Sequence, residues 1–197
     1  MPSLPPVTQA LLLINVGMFC LQYVLGFVVD RFLALWPIGA GFLPWQIVTY
    51  GFLHGGADHL IFNMLGLWMF GSELERLWGQ KRFLQFFMAS IVSAAGFQLV
   101  VAAVSGGNYP TVGASGGIFG LLLGFAMMFP NRIIVPLIPP IPMKAKTFVL
   151  IYGALELLFG LKGWLPGVAH FAHLGGIFGG WLMIRYWRGQ PPFGRRR

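Results

Sequence analysis

Four residues of this chain have the types and settings that chemistry needs: Ser115, His173, His59 and Asn63. Ser115 stands in Gly113-Ala114-Ser115-Gly116-Gly117, at the head of the apolar run Ile118 to Phe129. Directly before it comes a Gly/Pro loop, so it is expected at a helix N-terminus, where backbone N–H groups lack partners and the dipole favours negative charge. His173 heads a segment in which Gly176 and Gly180 form a smooth i,i+4 stripe. His59 and Asn63 are also spaced i,i+4 and share one helix face. A serine hydroxyl needs a base to become a nucleophile, and the oxyanion it creates needs aimed hydrogen-bond donors. Together these residues are candidate parts of an acyl-transfer site: Ser115 as nucleophile, His173 as base, and the helix-start N–H groups with His59 and Asn63 as oxyanion donors.

Each part has a plainer reading. Ser115 with Gly113, Gly117, Gly120 and Gly124 also fits a small-residue stripe that lets helices approach. An intramembrane histidine also serves as a helix–helix hydrogen bond, contributing about 1 kcal/mol, and His59 with Asn63 fits an interhelical clamp. His170 competes with His173 as base but lies one turn nearer the outer loop. His54 reads as interfacial or structural. No carboxylate or thiolate completes a zinc set with His54 and His59, so no metal is expected. Glu156 is read as a group near the outer end of its segment, neutral or hydrated beside the cavity, and stands outside the expected site. Glu73, Glu75 and Arg76 read as a helix-end network.

The elements that must position these residues are set by composition. Of 197 residues, 57% are hydrophobic and 9% charged, against roughly 25% charged in soluble domains. Mean hydropathy is +0.75. A transmembrane helix takes about 20 apolar residues, and six such segments fill the chain: about Val7–Val29, Ala57–Leu77, Arg82–Val104, Gly113–Phe129, Thr147–Leu161 and Val168–Tyr186. The four prolines between Pro136 and Pro142 forbid a continuous helix there. Asp30 to Leu53, with Trp36 and Trp45, reads as an interfacial loop. The expected architecture is an all-α, polytopic membrane bundle of six transmembrane helices. It is one domain over 1–197, with its core at about 7–187 and a basic cytoplasmic tail at 188–197.

The net charge of +8 does not indicate nucleic acid, because the cations fall in short clusters between apolar runs. Of the 13 Lys and Arg, 11 lie at or beside the connections after segments two and four or toward the C-terminus, leaving only Arg31 and Lys162 on the other side. The positive-inside rule then places both termini in the cytoplasm and puts Ser115, His59 and His173 at one depth near the outer surface. The single cysteine, Cys20, permits no intrachain disulfide. No basic residue precedes the first apolar run, so a retained helix is expected rather than a cleaved signal peptide.

Trp45-Gln46 with Phe52-Leu-His54, His59-Leu-Ile-Phe-Asn63-Met, Gly71-Ser-Glu-Leu-Glu75 with Gly79, Gly113-Ala-Ser-Gly-Gly117 and Ala172-His173-Leu-Gly-Gly176 together resemble the rhomboid family of intramembrane serine proteases, of the compact prokaryotic kind. The resemblance implies a Ser115–His173 dyad without a catalytic aspartate, and an oxyanion site made by the Ser115 N–H, His59 and Asn63. It implies that the Trp45 loop lies half in the membrane, and that the fifth helix with the loop Lys162 to Gly167, including Trp164, forms substrate gate and cap. Two positions depart from the family's habits. Gln46 follows the loop tryptophan where Arg is frequent, and Phe119 stands where some members stack Tyr on the histidine.

The implied activity is hydrolysis of peptide bonds in or near transmembrane segments of membrane-protein substrates, without cofactor, metal or nucleotide. The implied home is a prokaryotic cytoplasmic membrane. The alternative is a catalytically silent, rhomboid-like binder of transmembrane segments. A transporter is disfavoured because every polar candidate lies near one side.

Overall fold

The computed structural model describes residues 3–137, 139–165 and 167–193; Arg195, Arg196 and Arg197 of the expected tail lie outside the described residues. Helix α1 (Pro6–Leu25) opens on proline, whose missing N–H is no loss in a first turn. It stops at Gly26, where φ is +46°, a backbone that glycine adopts without Cβ strain. Helix α2 (Phe27–Leu33) follows, so the first expected segment is two helices with a break. The stretch expected as a loop up to Leu53 contains α3 (Gln46–Thr49) and a 3-10 turn over Tyr50–Phe52. Helices α4 (Ala57–Gly66) and α5 (Ser72–Trp78) are joined through a π-helical turn, Leu67–Gly71, with helical dihedrals at both of its ends. Then come α6 (Gln80–Ser105), α7 (Ser115–Met128), α8 (Ala145–Lys162) and α9 (His170–Trp187).

The chain is mostly helical rather than wholly so. The proline-rich stretch closes a small antiparallel hairpin, β1 (Ile133–Ile134) with β2 (Met143–Lys144), in which Ile133 faces Lys144. Leu35 and Thr111 also exchange both backbone bonds at 3.0 Å, tying the chain after α2 to the approach to α7.

Helices α6, α7 and α9 form the centre, and glycine sets their separation. A Cβ on Gly176 of α9 would strike the carbonyl oxygen of Gly116 on α7, and one on Gly120 would strike Ser90 Oγ on α6. A Cβ on Gly175 would lie 3.0 Å from the Ala94 backbone, and one on Gly180 would lie 2.8 Å from Phe86. Phe83, Phe86, Phe87, Ile91 and Leu121 fill the remaining core and are fully buried. The outside is apolar. Leu13, Tyr23, Phe27, Val100 and Leu150 are exposed, far more contiguous apolar surface than a water-soluble monomer carries. Among the described residues, two helices, α1 and α6, are long and apolar enough to cross a membrane by themselves.

Two buried polar groups pin the periphery. Glu75 is 3% exposed and its carboxylate accepts the N–H groups of Val7 (2.9 Å) and Thr8 (2.7 Å) and the Thr8 hydroxyl (2.8 Å). The expected helix-end network is therefore, at Glu75, a clamp on the first turn of α1, where N–H groups lack helical partners. Glu75→Ala should destabilise the protein by about 2–4 kcal/mol, because it strands those donors in a dry site. Unfolding in mixed micelles measures it, and a loss below about 1 kcal/mol would contradict the clamp. Gln46 is fully buried; its Oε1 accepts from Trp36 N and Leu43 N, and its Nε2 donates to the Phe32 carbonyl at 3.3 Å. The amide that replaces the family's frequent Arg thus has partners at both ends and folds the Trp36–Trp45 loop onto itself.

Candidate active site

Ser115 is the first residue of α7. Gly113 delivers it with φ at +133°, a value only glycine adopts readily, while the Gly113 N–H donates to the Tyr50 carbonyl at 3.0 Å. A Cβ on Gly113 would also lie 2.8 Å from His59, so glycine is required there twice over. On α9, the close approach of Gly176 to Gly116 brings the preceding turn of α9 beside the head of α7. His173 Nε2 lies 2.8 Å from Ser115 Oγ. The imidazole is held flat by Phe119, with ring centroids 4.3 Å apart and planes 9° apart. Phe119 therefore sits where the sequence reading expected a stacking ring.

Ser115, His173 and His59 line one cavity of about 490 Å³, together with Tyr50, Thr111 and Val168 among others. His59 Nδ1 accepts a long bond from the Gly55 N–H, 3.4 Å, so a neutral ring carries its proton on Nε2, the nitrogen nearest Gly113. Asn63, one turn further along α4, is 5% exposed, and its Nδ2 has no partner among the described residues. A buried amide donor left unpaired costs stability, and its retention points to a ligand that pairs with it.

Trp45 and Trp164 stand apart. Both are half exposed and neither lines the cavity. The Trp45 indole N–H donates to the Phe32 carbonyl at 2.9 Å. Trp164 packs on Phe159, with centroids 5.8 Å apart. His54 is buried with its ring edge on His59. Burial first, and the neighbouring His59 second, push its pKa down to about 4, so it is neutral at physiological pH.

Glu156, placed outside the expected site by the sequence, stands beside both His170 and His173. Its side chain is 14% exposed, and Oε2 lies 2.6 Å from His170 Nδ1 and 3.0 Å from His173 Nδ1. His170, the competing base candidate, faces this carboxylate and the Trp164 carbonyl, with Nε2 3.0 Å from the latter. One signal was available: a carboxylate inside an apolar segment is a functional hypothesis by default. What the sequence lacks is the face that α8 turns toward α9. The three side chains offer ligand atoms within 4.8 Å of one another, close enough for one metal ion.

Residues 42–189 match the family model of the Rhomboid domain. The chain belongs to the rhomboid family. Among curated relatives, RHOMBOID-like protein 4 of Arabidopsis thaliana is 36% identical over 140 residues, covering 71% of this chain and 33% of that protein. Rhomboid protease GluP of Bacillus subtilis is 32% identical over 140 residues, covering 70% of this chain and 25% of that protein. Rhomboid protein 1, mitochondrial, of Saccharomyces cerevisiae is 33% identical over 149 residues, covering 71% and 42%. This rhomboid thus aligns with between a quarter and about two fifths of the length of these relatives. It is a membrane protein, in agreement with the apolar exterior described above.

Proposed function

We propose that this rhomboid is an intramembrane serine endopeptidase that cleaves single-span membrane proteins near the outer end of their transmembrane segment. The observation that carries the reading is the 2.8 Å approach of His173 Nε2 to Ser115 Oγ at the wall of one cavity. In this reading, Ser115 Oγ attacks the scissile carbonyl carbon as its proton passes to His173 Nε2. The carbonyl electron pair moves onto oxygen, which the Ser115 N–H, His59 Nε2–H and Asn63 Nδ2–H stabilise. The C–N bond then breaks, its electron pair stays with nitrogen, and His173 protonates that amine. Water attacks the acyl-serine in the same way, with His173 as base and then acid, and Ser115 is regenerated.

The bundle is read as six membrane-spanning segments, with both ends of this sequence on the cytoplasmic side and the cavity opening outward. The bilayer hides peptide carbonyls inside helical hydrogen bonds, so a substrate must unwind locally before attack. Small residues at the cleaved bond and nearby Gly or Pro ease that unwinding. An apolar recess between α4 and α8, lined by Phe62, Met69, Phe119, Phe148 and Tyr152, is the side entrance. Helix α8 buries only Ala145 and Phe148 along its 18 residues, and lightly packed elements open at low cost. Trp45 and Trp164 act in this reading as supports at the bilayer edge, through their amphipathic rings.

Cleavage of a model single-span substrate by purified protein in liposomes tests the proposal. Asn63→Ala and His59→Ala should each lower kcat roughly 10²–10³-fold with little change in KM, since they serve only the oxyanion. Changes confined to KM would contradict those roles. Wild-type protein that binds but never cleaves a panel of substrates would instead support the silent binder.

A further inference from the structure

We propose that Glu156 positions and charges His173, so that Ser115, His173 and Glu156 work as a serine–histidine–carboxylate relay, with His170 holding the carboxylate. This rests on the protease reading and goes beyond its two-residue machinery. The donors and acceptors argue for it. For His173 Nε2 to accept the Ser115 proton, the neutral ring must carry its hydrogen on Nδ1. That nitrogen is buried and has no aligned hydrogen bond among the described residues. The acceptor beside it is Glu156 Oε2, 3.0 Å away but out of line for a hydrogen bond, so a rotation of one of the two groups must align them.

His170 explains why the carboxylate is there. Its Nε2 faces the Trp164 carbonyl, which only accepts, so Nε2 carries hydrogen. Its Nδ1 and Glu156 Oε2, 2.6 Å apart, share one further proton. With that proton on His170 Nδ1, Glu156 is a carboxylate and Oε2 keeps a lone pair for His173 Nδ1–H. When Ser115 gives up its proton, His173 bears hydrogen on both nitrogens and one positive charge. A carboxylate at 3.0 Å in a water-poor site stabilises that charge and fixes the ring tautomer. Glu156 touches no reacting atom and is a positioning residue. It sits on α8, the lightly packed helix, so the relay is complete only while α8 stays docked on α9.

The test compares wild type, Glu156→Gln and His170→Gln in liposomes, with substrate cleavage and with labelling of Ser115 by a fluorophosphonate. Glu156→Gln keeps the side-chain volume and loses the charge. It should lower kcat roughly a hundredfold or more, with KM within about threefold and Tm nearly unchanged. Probe labelling should slow in parallel. His170→Gln should lower kcat less, because the carboxylate remains. In protein with ¹⁵N-labelled histidine, the downfield Nδ1–H proton of His173 should vanish in Glu156→Gln and persist in Ser115→Ala. An active wild type beside a Glu156→Gln variant with kcat within about threefold, or with the Nδ1–H signal intact, overturns this inference alone. Equal losses in both variants that track a drop in Tm also overturn it, as they describe a structural pin. A wild type that neither cleaves nor takes the probe overturns the protease reading itself.

Discussion

Ser115→Ala should abolish cleavage of a single-span substrate while leaving the protein folded. In the proposed mechanism the nucleophilic oxygen is lost outright, and residues that act as one unit fail together, with losses on the order of 10⁴–10⁶ in kcat. His173→Ala should lose as much, and the double variant should lose no more than either single change, because hydroxyl and base serve one proton transfer. The structural cost is small. Ser115 begins α7, where alanine is tolerated, and gives up one side-chain bond, at 2.8 Å to His173, a contribution of about 1 kcal/mol. Cleavage in liposomes followed by gel shift, together with thermal unfolding, reads both quantities. Activity retained within about tenfold in either single variant would remove Ser115 and His173 from the chemistry.

Gly176→Ala should damage stability and activity together. Its Cβ would be driven into the carbonyl oxygen of Gly116, and that carbonyl belongs to the backbone of α7, which has no rotamer by which to move aside. The helices must separate, at a cost of about 3 kcal/mol or more. Gly116 directly follows Ser115, and His173 lies one turn before Gly176 on α9. The separation therefore falls on the Ser115–His173 distance, and a displacement of about 1 Å there costs roughly a hundredfold in rate. Gly96→Ala on α6 is the control. No atom lies within 4 Å of its added Cβ, and alanine favours a helix over glycine by about 1 kcal/mol. Unfolding and cleavage of the two variants side by side decide the matter. If Gly176→Ala behaves like Gly96→Ala, the glycine contact does not set the site.

Much of this was legible in the residues. The helical segments follow from runs of apolar side chains broken by Gly and Pro, a local signal that survives without tertiary context. The Gly176–Gly180 stripe announced a close helix contact, and the structure places Gly176 against Gly116. Ser115 at a helix start and a ring stacked on His173 were equally readable. The break at Gly26 was less so, because Phe27 to Val29 continues the apolar run and only the backbone at Gly26, with φ at +46°, divides it. The π-helical turn at Leu67–Gly71 leaves no local mark at all.

What the sequence by itself determined is the inventory: apolar segments, their breaks, and a serine, histidines and an amide spaced for one depth. What only the tertiary structure decided is partnership. Glu75, read as a helix-end charge, holds the first turn of α1 across 67 and 68 positions of sequence. Glu156, set aside as a hydrated outlier, reaches His170 and His173 from another helix. The physical reason is rotation. Periodicity states which residues share a helix face, yet in a bundle that is apolar inside and out no contrast in hydropathy says which face meets a neighbour. Side-chain packing and glycine contacts settle that rotation, and with it whether a carboxylate meets lipid, water or the far nitrogen of His173.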